Sequence, residues 1–486
     1  MDVAAAEDPP ALRALAAEAH RQLAQLEYPT KPWVLPRPVA AGATAPYDAV
    51  VVGAGQGGLA VAFGLLRARV PNILVIDSAP AGEEGPWVTT ARMTVLRSPK
   101  HQPGPELGVP ALSPRAWYEA TYGAAAWAAL VRMPRAVWMA YLTWFRRTVG
   151  LAVRNRTILT GIAPESHGDA DGVLVLTVET DGKVERLRTR KLVLATGMEG
   201  SGGLAVPDIL DPALPRARWH HGMAVIDFAA LAGQRLGVLG HGASAFDNAA
   251  TALEAGAASV DLFFRRPKLP RVNPHKWFER AGFLRHFADM PDALRWRFWR
   301  HIDLHDQPPP PEAYARCLAL RGFAIHAGMP WRRVVPDGAG VRVETPGGDH
   351  VFDHVILATG LAMDPGLRPE LAGFADQILR WADRYTPPPA LAHPEMGRYA
   401  YLGDGFELQP RDPDAAAWLR HIHYFTFGAS LSMGYSGASI TGLRYGADRV
   451  IAGVTRALWL DDVEAQYQAL ASFDEIELQL PDDVDH

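Results

Sequence analysis

The chain has 486 residues, 48% of them hydrophobic, and a formal net charge of -5. The length suggests about three domains, and the nearly balanced charge excludes a large basic nucleic-acid surface. The one cysteine, Cys317, excludes a disulfide framework and a C-x-x-C redox pair, and a reducing cytoplasm is the expected setting.

The first ten residues are acidic and lack the basic start of a signal peptide. Residues 11–27 place Leu12, Leu15, Leu23 and Leu26 at helical spacing and predict an amphipathic helix packed on the main body. Residues 28–46 are proline-rich and read as an extended linker.

The stretch from Tyr47 to Ala60 then reads as strand, glycine turn and helix. Val50 to Val52 form the β-branched run of a strand covered on both faces. Gly53, Gly55 and Gly58 fit G-x-G-x-x-G: a tight turn, a site of close pyrophosphate approach, and a close helix–strand contact. The helix predicted from Leu59 to Arg69 aims its free N–H groups at the phosphates. The second strand, Ile73 to Ile76, ends in Asp77, nineteen residues after Gly58, where an acid accepts from a free ribose 2′-OH. Residues 49–66 are uncharged and long enough to suggest a membrane span, but the glycines fall where a nucleotide turn needs them, so no span is assigned.

Glycines and prolines make residues 82–100 a long loop directly after the ribose strand, a position that favours function. Residues 133–146 open a helix whose Val137, Trp138, Tyr141, Leu142 and Phe145 read as core. Val173 to Val178 and Lys191 to Ala195 form a strand pair turned at Asp181-Gly182, and the return ends in Ala195-Thr196-Gly197. Pro207 to Pro215 is a crossing between domains.

The second half repeats the first. Arg235 to Leu239 is a strand, Gly240-His241-Gly242-Ala243-Ser244 a second nucleotide turn, Ser259 to Phe264 its second strand, and Ala358-Thr359-Gly360 a second closure. Where the first unit carries Asp77, the second carries Arg265 and Arg266. Arginine pairs with a 2′-phosphate, so the second unit is expected to take NADPH. Residues 273–331, rich in tryptophan and histidine, form an insertion, read as a helical flap or as the roof of a substrate pocket. Its histidines lack metal-ligand spacing, so no metal site is expected. Beyond Gly360, Tyr399 to Asp404 is strand-like, Phe427 to Ser439 is a small-residue loop suited to lie against a flat ring, and a helix is predicted from Ile440 to Leu458.

Two nucleotide turns, two Ala-Thr-Gly closures, Gly85-Pro86-Trp87 after the first acid and Arg265-Arg266 after the second strand resemble the single-component (class B) flavoprotein monooxygenases, which include the flavin-containing, Baeyer–Villiger and N-hydroxylating enzymes. The resemblance spans residues 47–459. His221 stands where that family has the histidine of its fingerprint, while the fingerprint's phenylalanine, first glycine and serine are missing, and His241 departs from the usual second turn. The resemblance implies an α/β fold with two dinucleotide-binding (Rossmann-like) domains, the NADPH domain inserted into the FAD domain. The expected boundaries are 1–46 for the N-terminal helix and linker, 47–212 and 361–486 for the FAD domain with its C-terminal helix and tail, and 213–360 for the NADPH domain with its helical insertion at 273–331.

On that resemblance, Gly53, Gly55, Gly58, Asp77, Ser78, Gly85, Trp87, Met93, Thr196, Gly197 and Asp404 are the FAD candidates. Gly240, Gly242, Ala243, Ser244, Arg265, Arg266, Thr359 and Gly360 are the NADPH candidates. Arg97, Ser98 and Lys100 are the candidate donors near the flavin. The implied chemistry is reduction of FAD by NADPH, formation of a flavin hydroperoxide with dioxygen, and transfer of one oxygen to the nitrogen or sulfur of a small organic substrate. The alternatives are Baeyer–Villiger oxidation of a ketone, or a reductase or oxidase that inserts no oxygen. The cofactor carries the chemistry and the protein places it, so no separate catalytic triad is expected.

Overall fold

The structure, a computed structural model, describes residues 8–478 apart from 28, 30, 38–43, 166–171 and 436–438. Helix α1 (Pro10–Gln25) buries Leu12 and Ala19 against the segment around Pro110, where Gln22 accepts a hydrogen bond from Ala111 N at 2.9 Å. The part of the expected linker that is described includes Trp33, which donates to Ala68 O and packs on Trp459; Tyr28 and residues 38–43 lie outside the described residues.

Strand β1 (Tyr47–Val52), helix α2 (Gln56–Arg67) and strand β2 (Ile73–Ile76) build the first nucleotide unit. The helix starts at Gln56 rather than Leu59 because Gly55 is its N-cap. Its apolar residues run round the whole circumference, and residues 56–65 are buried on both sides. Helices α3 (Pro114–Tyr122), α4 (Ala124–Ala129) and α5 (Arg135–Thr148) follow, the last burying Trp138, Tyr141, Leu142 and Phe145. Strands β3 (Thr157–Pro164), β4 (Leu174–Thr180) and β5 (Lys183–Leu194) complete the sheet. The turn between β4 and β5 has Asp181 at φ 48° and Gly182 at φ 78°, the pair of positive angles that a two-residue hairpin of this twist requires. Strand β5 starts eight residues before the expected Lys191, because its first half pairs with β4 as an exposed ribbon. The order is β2-β1-β5-β4-β3, with β1 parallel to both β2 and β5.

The chain then leaves through β6 (Gly203–Leu204). The second unit comprises β7 (Trp219–His221), β8 (Arg235–Leu239), α6 (Ala243–Glu254), β9 (Ser259–Phe264), α7 (Ala281–His286), α8 (Asp292–His305), α9 (Pro311–Leu318) and β10 (Phe323–Ala327). It closes with the antiparallel β11 (Arg333–Asp337), β12 (Gly340–Thr345) and β13 (Gly348–Phe352), and then β14 (His354–Leu357). Its parallel sheet runs β10-β9-β8-β14-β7. The expectation of a helical insertion over 273–331 needs correction at its C-terminal end. There α9 packs on α6 and β10 pairs with β9, so these two elements are the third βα step of the nucleotide fold itself.

The return link, β15 (Leu361–Ala362), pairs antiparallel with β6. The second unit is therefore inserted into the first through two crossing strands that lie side by side. The returning chain forms the single turns α10 (Trp381–Arg384) and α11 (Pro394–Gly397), then β16 (Ile422–His423), α12 (Ser430–Met433), α13 (Leu443–Asp461) and α14 (Val463–Ala471). Strand β16 joins the first sheet beside β5, and α13 lies on α2, where a Cβ at Gly64 would stand 2.0 Å from Ile451. The strand expected over 399–404 is reduced to isolated bridges at Ala400 and Leu402, because residues 400–408 fold back on themselves. The tryptophans of the insertion are core residues. Trp296 and Trp299 pack with Trp381, Met396 and Leu431 of the returning chain, and the buried Arg295 donates to Ser432 O at 2.8 Å.

Candidate active site

Each nucleotide turn sits at the C-terminal edge of its sheet, where open α/β sheets bind ligands. In the first, Gly53 has φ 101° and a Cβ there would lie 2.5 Å from Ala195 O; one at Gly58 would lie 1.7 Å from Gly53 O. Both glycines are required by the protein's own backbone. Gly55 differs, since a Cβ there meets nothing nearer than Gly85 Cα at 3.8 Å. No side chain caps α2, so its first N–H groups remain for a ligand, as at other phosphate-binding helix starts.

Asp77 is buried at the end of β2, which raises its carboxyl pKa, and it accepts from Ala54 N at 2.6 Å and Ala79 N at 2.8 Å. Those bonds orient the carboxylate across the glycine turn and leave further lone pairs on each oxygen. Ser78 follows it at the strand end. Gly85, with φ 81°, brings its backbone over Gly55, and Trp87 packs edge-on against Trp138 at 6.4 Å, whose indole N–H donates to Gln56. Glu84, to which the sequence reading assigned no role, is buried beside this turn and pairs with Arg146 at 2.5 Å. Thr196 and Gly197 continue β5 beside the same turn. The Thr196 hydroxyl is buried with no partner among the described residues, and Gly197 O accepts from Phe427 N at 3.2 Å, bringing the start of the small-residue loop to this edge. Residues 436–438 of that loop lie outside the described residues. An open second glycine, an uncapped helix and an orphaned hydroxyl together fit an extended dinucleotide.

Asp404 is exposed in a turn whose Gly405 presses on Gly453 of α13 and accepts from His423 Nδ1 of β16 at 2.7 Å.

The second turn repeats the geometry. Gly240 has φ 140° and a Cβ there would lie 2.4 Å from Ala358 O, whereas nothing lies within 4 Å of one at Gly242. Gly242 is the N-cap of α6, without a side-chain cap, and Ala243 and Ser244 form its first turn. Thr359 donates to Ala205 O, and Gly360, at φ 81°, leads into the return link. His221 is fully buried at the end of β7, its Nε2 has no hydrogen-bond partner among the described residues, and burial lowers its pKa. Arg265 and Arg266 follow β9. Arg265 is exposed and, among the described residues, makes no ion pair or side-chain hydrogen bond; Arg266 lies 3.6 Å from Asp306 and donates to Leu304 O. Asp306, at the end of α8, also pairs with His241 at 2.8 Å.

Arg97, Ser98 and Lys100 are not brought to one point. Arg97 and Met93 line a cleft between the units, where Arg97 pairs at 2.7 Å with Asp247 of α6. Asp247 is buried, which raises its pKa, and the Arg97 charge opposes that rise. Arg132 and Glu312 form a second bridge across the same cleft at 3.2 Å. Lys100 instead donates to Trp127 O at 2.7 Å, on the wall of a separate cavity of about 550 Å³. Ser98 lies half-buried between the two places. Among the described residues no group of His, Cys, Asp or Glu is arranged to hold a metal, and no helix is long and apolar enough to cross a membrane.

Residues 50–199 match a family model described as FAD-NAD(P)-binding, and residues 127–299 match one described as L-lysine 6-monooxygenase/L-ornithine 5-monooxygenase. The chain is 46% identical over 455 residues to the FAD-dependent urate hydroxylase of Xanthomonas campestris pv. campestris, an alignment covering 94% of each chain. Among solved structures it is similar to ornithine hydroxylase PvdA from Pseudomonas aeruginosa, with TM-score 0.67, 16% identity, and 85% of this chain and 99% of that one covered. It is also similar to L-lysine 6-monooxygenase from Pseudomonas syringae, with TM-score 0.62, 20% identity and 85% and 99% coverage. These structural likenesses establish the shared architecture. With the sequence relative and the two nucleotide turns, they make the chain a member of the single-component flavoprotein monooxygenases, FAD-dependent oxidoreductases that carry an NAD(P) unit within the FAD unit.

Proposed function

We propose that this chain is an FAD- and NADPH-dependent monooxygenase that hydroxylates urate or a closely similar oxopurine. The observation that carries the reading is the 46% identity to a FAD-dependent urate hydroxylase across 94% of both chains. Enzymes named for lysine and ornithine share the fold at only 16–20% identity. This moves the reading from nitrogen or sulfur oxygenation of an unspecified substrate to hydroxylation of one small heterocycle.

In this reading Gly53, Gly55, Gly58 and the start of α2 would hold the FAD pyrophosphate, with Asp77 at the ribose and Thr196 as a further donor. Gly240, Gly242 and the start of α6 would hold NADPH, with Arg265 at the 2′-phosphate. Bound there, the flavin supplies the transfer of two electrons from the nicotinamide and the activation of dioxygen. The chain's own residues bind and orient. Arg97–Asp247 holds the loop after β2 against α6, and Arg132–Glu312 holds the link between α4 and α5 against α9, together fixing the spacing of the two units.

A second reading, N-hydroxylation of an amino acid side chain, is favoured by the match of residues 127–299 to the lysine/ornithine model. The test is oxygen and NADPH consumption by the yellow holoenzyme with urate, L-lysine and L-ornithine in turn. Stimulation by urate alone supports the proposal, and stimulation by an amino acid alone replaces it with the second reading.

A further inference from the structure

The cavity beside Lys100 is distinct from both nucleotide turns. Its floor comes from the FAD unit: the loop that continues from Arg97 through Lys100 to Glu106, and the start of α13 with Thr441 and Arg444. Its opposite wall is α7 of the insertion, through Leu284, so it lies where the insertion meets the FAD unit, on the same loop that lines the interdomain cleft. Glu106 is the unusual residue. It is 7% exposed, yet one of its carboxylate oxygens has no hydrogen-bond partner among the described residues. A buried acceptor left unpaired is costly and marks a place where a ligand completes the bonding.

The other polar groups suit a ligand that has both donors and acceptors. Arg444 is within electrostatic reach of the Glu106 carboxyl and, among the described residues, makes no ion pair or side-chain hydrogen bond. Lys100 is paired with no carboxylate among the described residues and is held in place by two backbone carbonyls of α4 and by the face of Trp127, 5.2 Å away. Arg115, also on the wall, is paired with Glu119 at 2.8 Å, and Glu279 adds a further carboxylate at the rim.

Resting on the oxopurine reading above, we propose that this cavity is the substrate chamber: Glu106 accepts an N–H of a planar nitrogen heterocycle, and Arg444, with Lys100, donates to its carbonyl oxygens and carries its negative charge. Urate, which alternates ring N–H and C=O groups and is an anion at neutral pH, has that pattern. A cationic amine side chain would satisfy Glu106 but would face Lys100 and Arg444 with like charge.

The test is calorimetric titration of urate into the oxidised FAD-loaded enzyme, without NADPH, for wild type, Glu106→Leu and Arg444→Leu. Flavin absorbance reports that each variant is folded and loaded. Loss of one charge-assisted hydrogen bond should weaken urate binding roughly 10- to 100-fold in either variant. In turnover, KM should rise by the same factor, with kcat less affected. If wild type binds urate and both variants bind it equally well, the chamber assignment is overturned while the substrate reading stands. If wild type does not bind urate, the substrate reading fails and the assignment of this occupant fails with it. Should Glu106→Leu fail to load flavin, the exposed Arg444 decides: retained affinity in Arg444→Leu overturns the assignment, and weakened affinity supports it.

Discussion

Gly55→Ala separates the needs of the protein from the needs of its ligand. A Cβ at Gly55 lies 3.8 Å from its nearest neighbour, an ordinary contact, and the residue has φ -69°, which alanine adopts without strain. Alanine is a poorer N-cap than glycine, yet it restricts the unfolded chain, and the two effects, each of about 0.5–1 kcal/mol, oppose one another. The apo-protein should therefore keep its stability to within about 0.5 kcal/mol on that balance. A pyrophosphate laid against this backbone meets the new methyl directly. Overpacking of this kind costs about 1–3 kcal/mol, so FAD affinity should fall roughly 5- to 150-fold, and Gly55→Val should purify colourless. Gly53→Ala is the contrast. With φ 101° and its Cβ 2.5 Å from Ala195 O, it should destabilise the apo-protein itself by about 1–3 kcal/mol. The assays are urea unfolding of the apo-proteins and fluorescence titration with FAD. Unchanged FAD affinity in Gly55→Ala would refute the placement of the pyrophosphate over the second glycine.

Arg265→Ala should weaken NADPH use roughly 10- to 100-fold and leave NADH use unchanged, while Arg266→Ala, already engaged by Asp306, should have a smaller effect; equal losses with both coenzymes in steady-state kinetics would show that neither arginine reads the phosphate. Asp462 pairs at 2.7 Å with Arg190, a fully buried cation of β5 that also keeps Asp48 at 3.5 Å and Asp461 at 3.8 Å, so Asp462→Ala should cost about 1.5–3 kcal/mol in chemical denaturation by removing the shortest charge-assisted bond, and a loss below 1 kcal/mol, the scale of a surface pair, would contradict it. Burial pushes the Cys317 thiol up to about 12, and it donates to Phe246 O, so at pH 8 the native protein should resist a thiol reagent that labels it once urea is added.

The two nucleotide turns were legible because each is a local pattern. Glycine spacing, β-branched strands and the Ala-Thr-Gly closures all fall within short stretches, and their repetition disclosed the inserted architecture. The arginines after β9 were legible for the same reason, although only the structure separates Arg265 from the engaged Arg266. What escaped depends on distant segments. The insertion appeared helical to its end because Pro311–Leu318 is helical, but the strand that follows pairs with β9. Glu106 sits in a proline–glycine loop with no periodicity, and its meaning comes from walls contributed by residues near 284 and 444. Asp247 lay in plain view within the second turn, but its partner Arg97 is 150 residues away in sequence.

The measurement that tests the central claim most directly is a turnover with isotopically labelled dioxygen, NADPH and urate on the purified yellow enzyme, with NADPH, oxygen and hydrogen peroxide followed together. The account predicts one NADPH and one dioxygen consumed per urate, one labelled oxygen atom in the product, and little peroxide. NADPH oxidation that yields peroxide in full, with urate unlabelled and unconsumed, would contradict it.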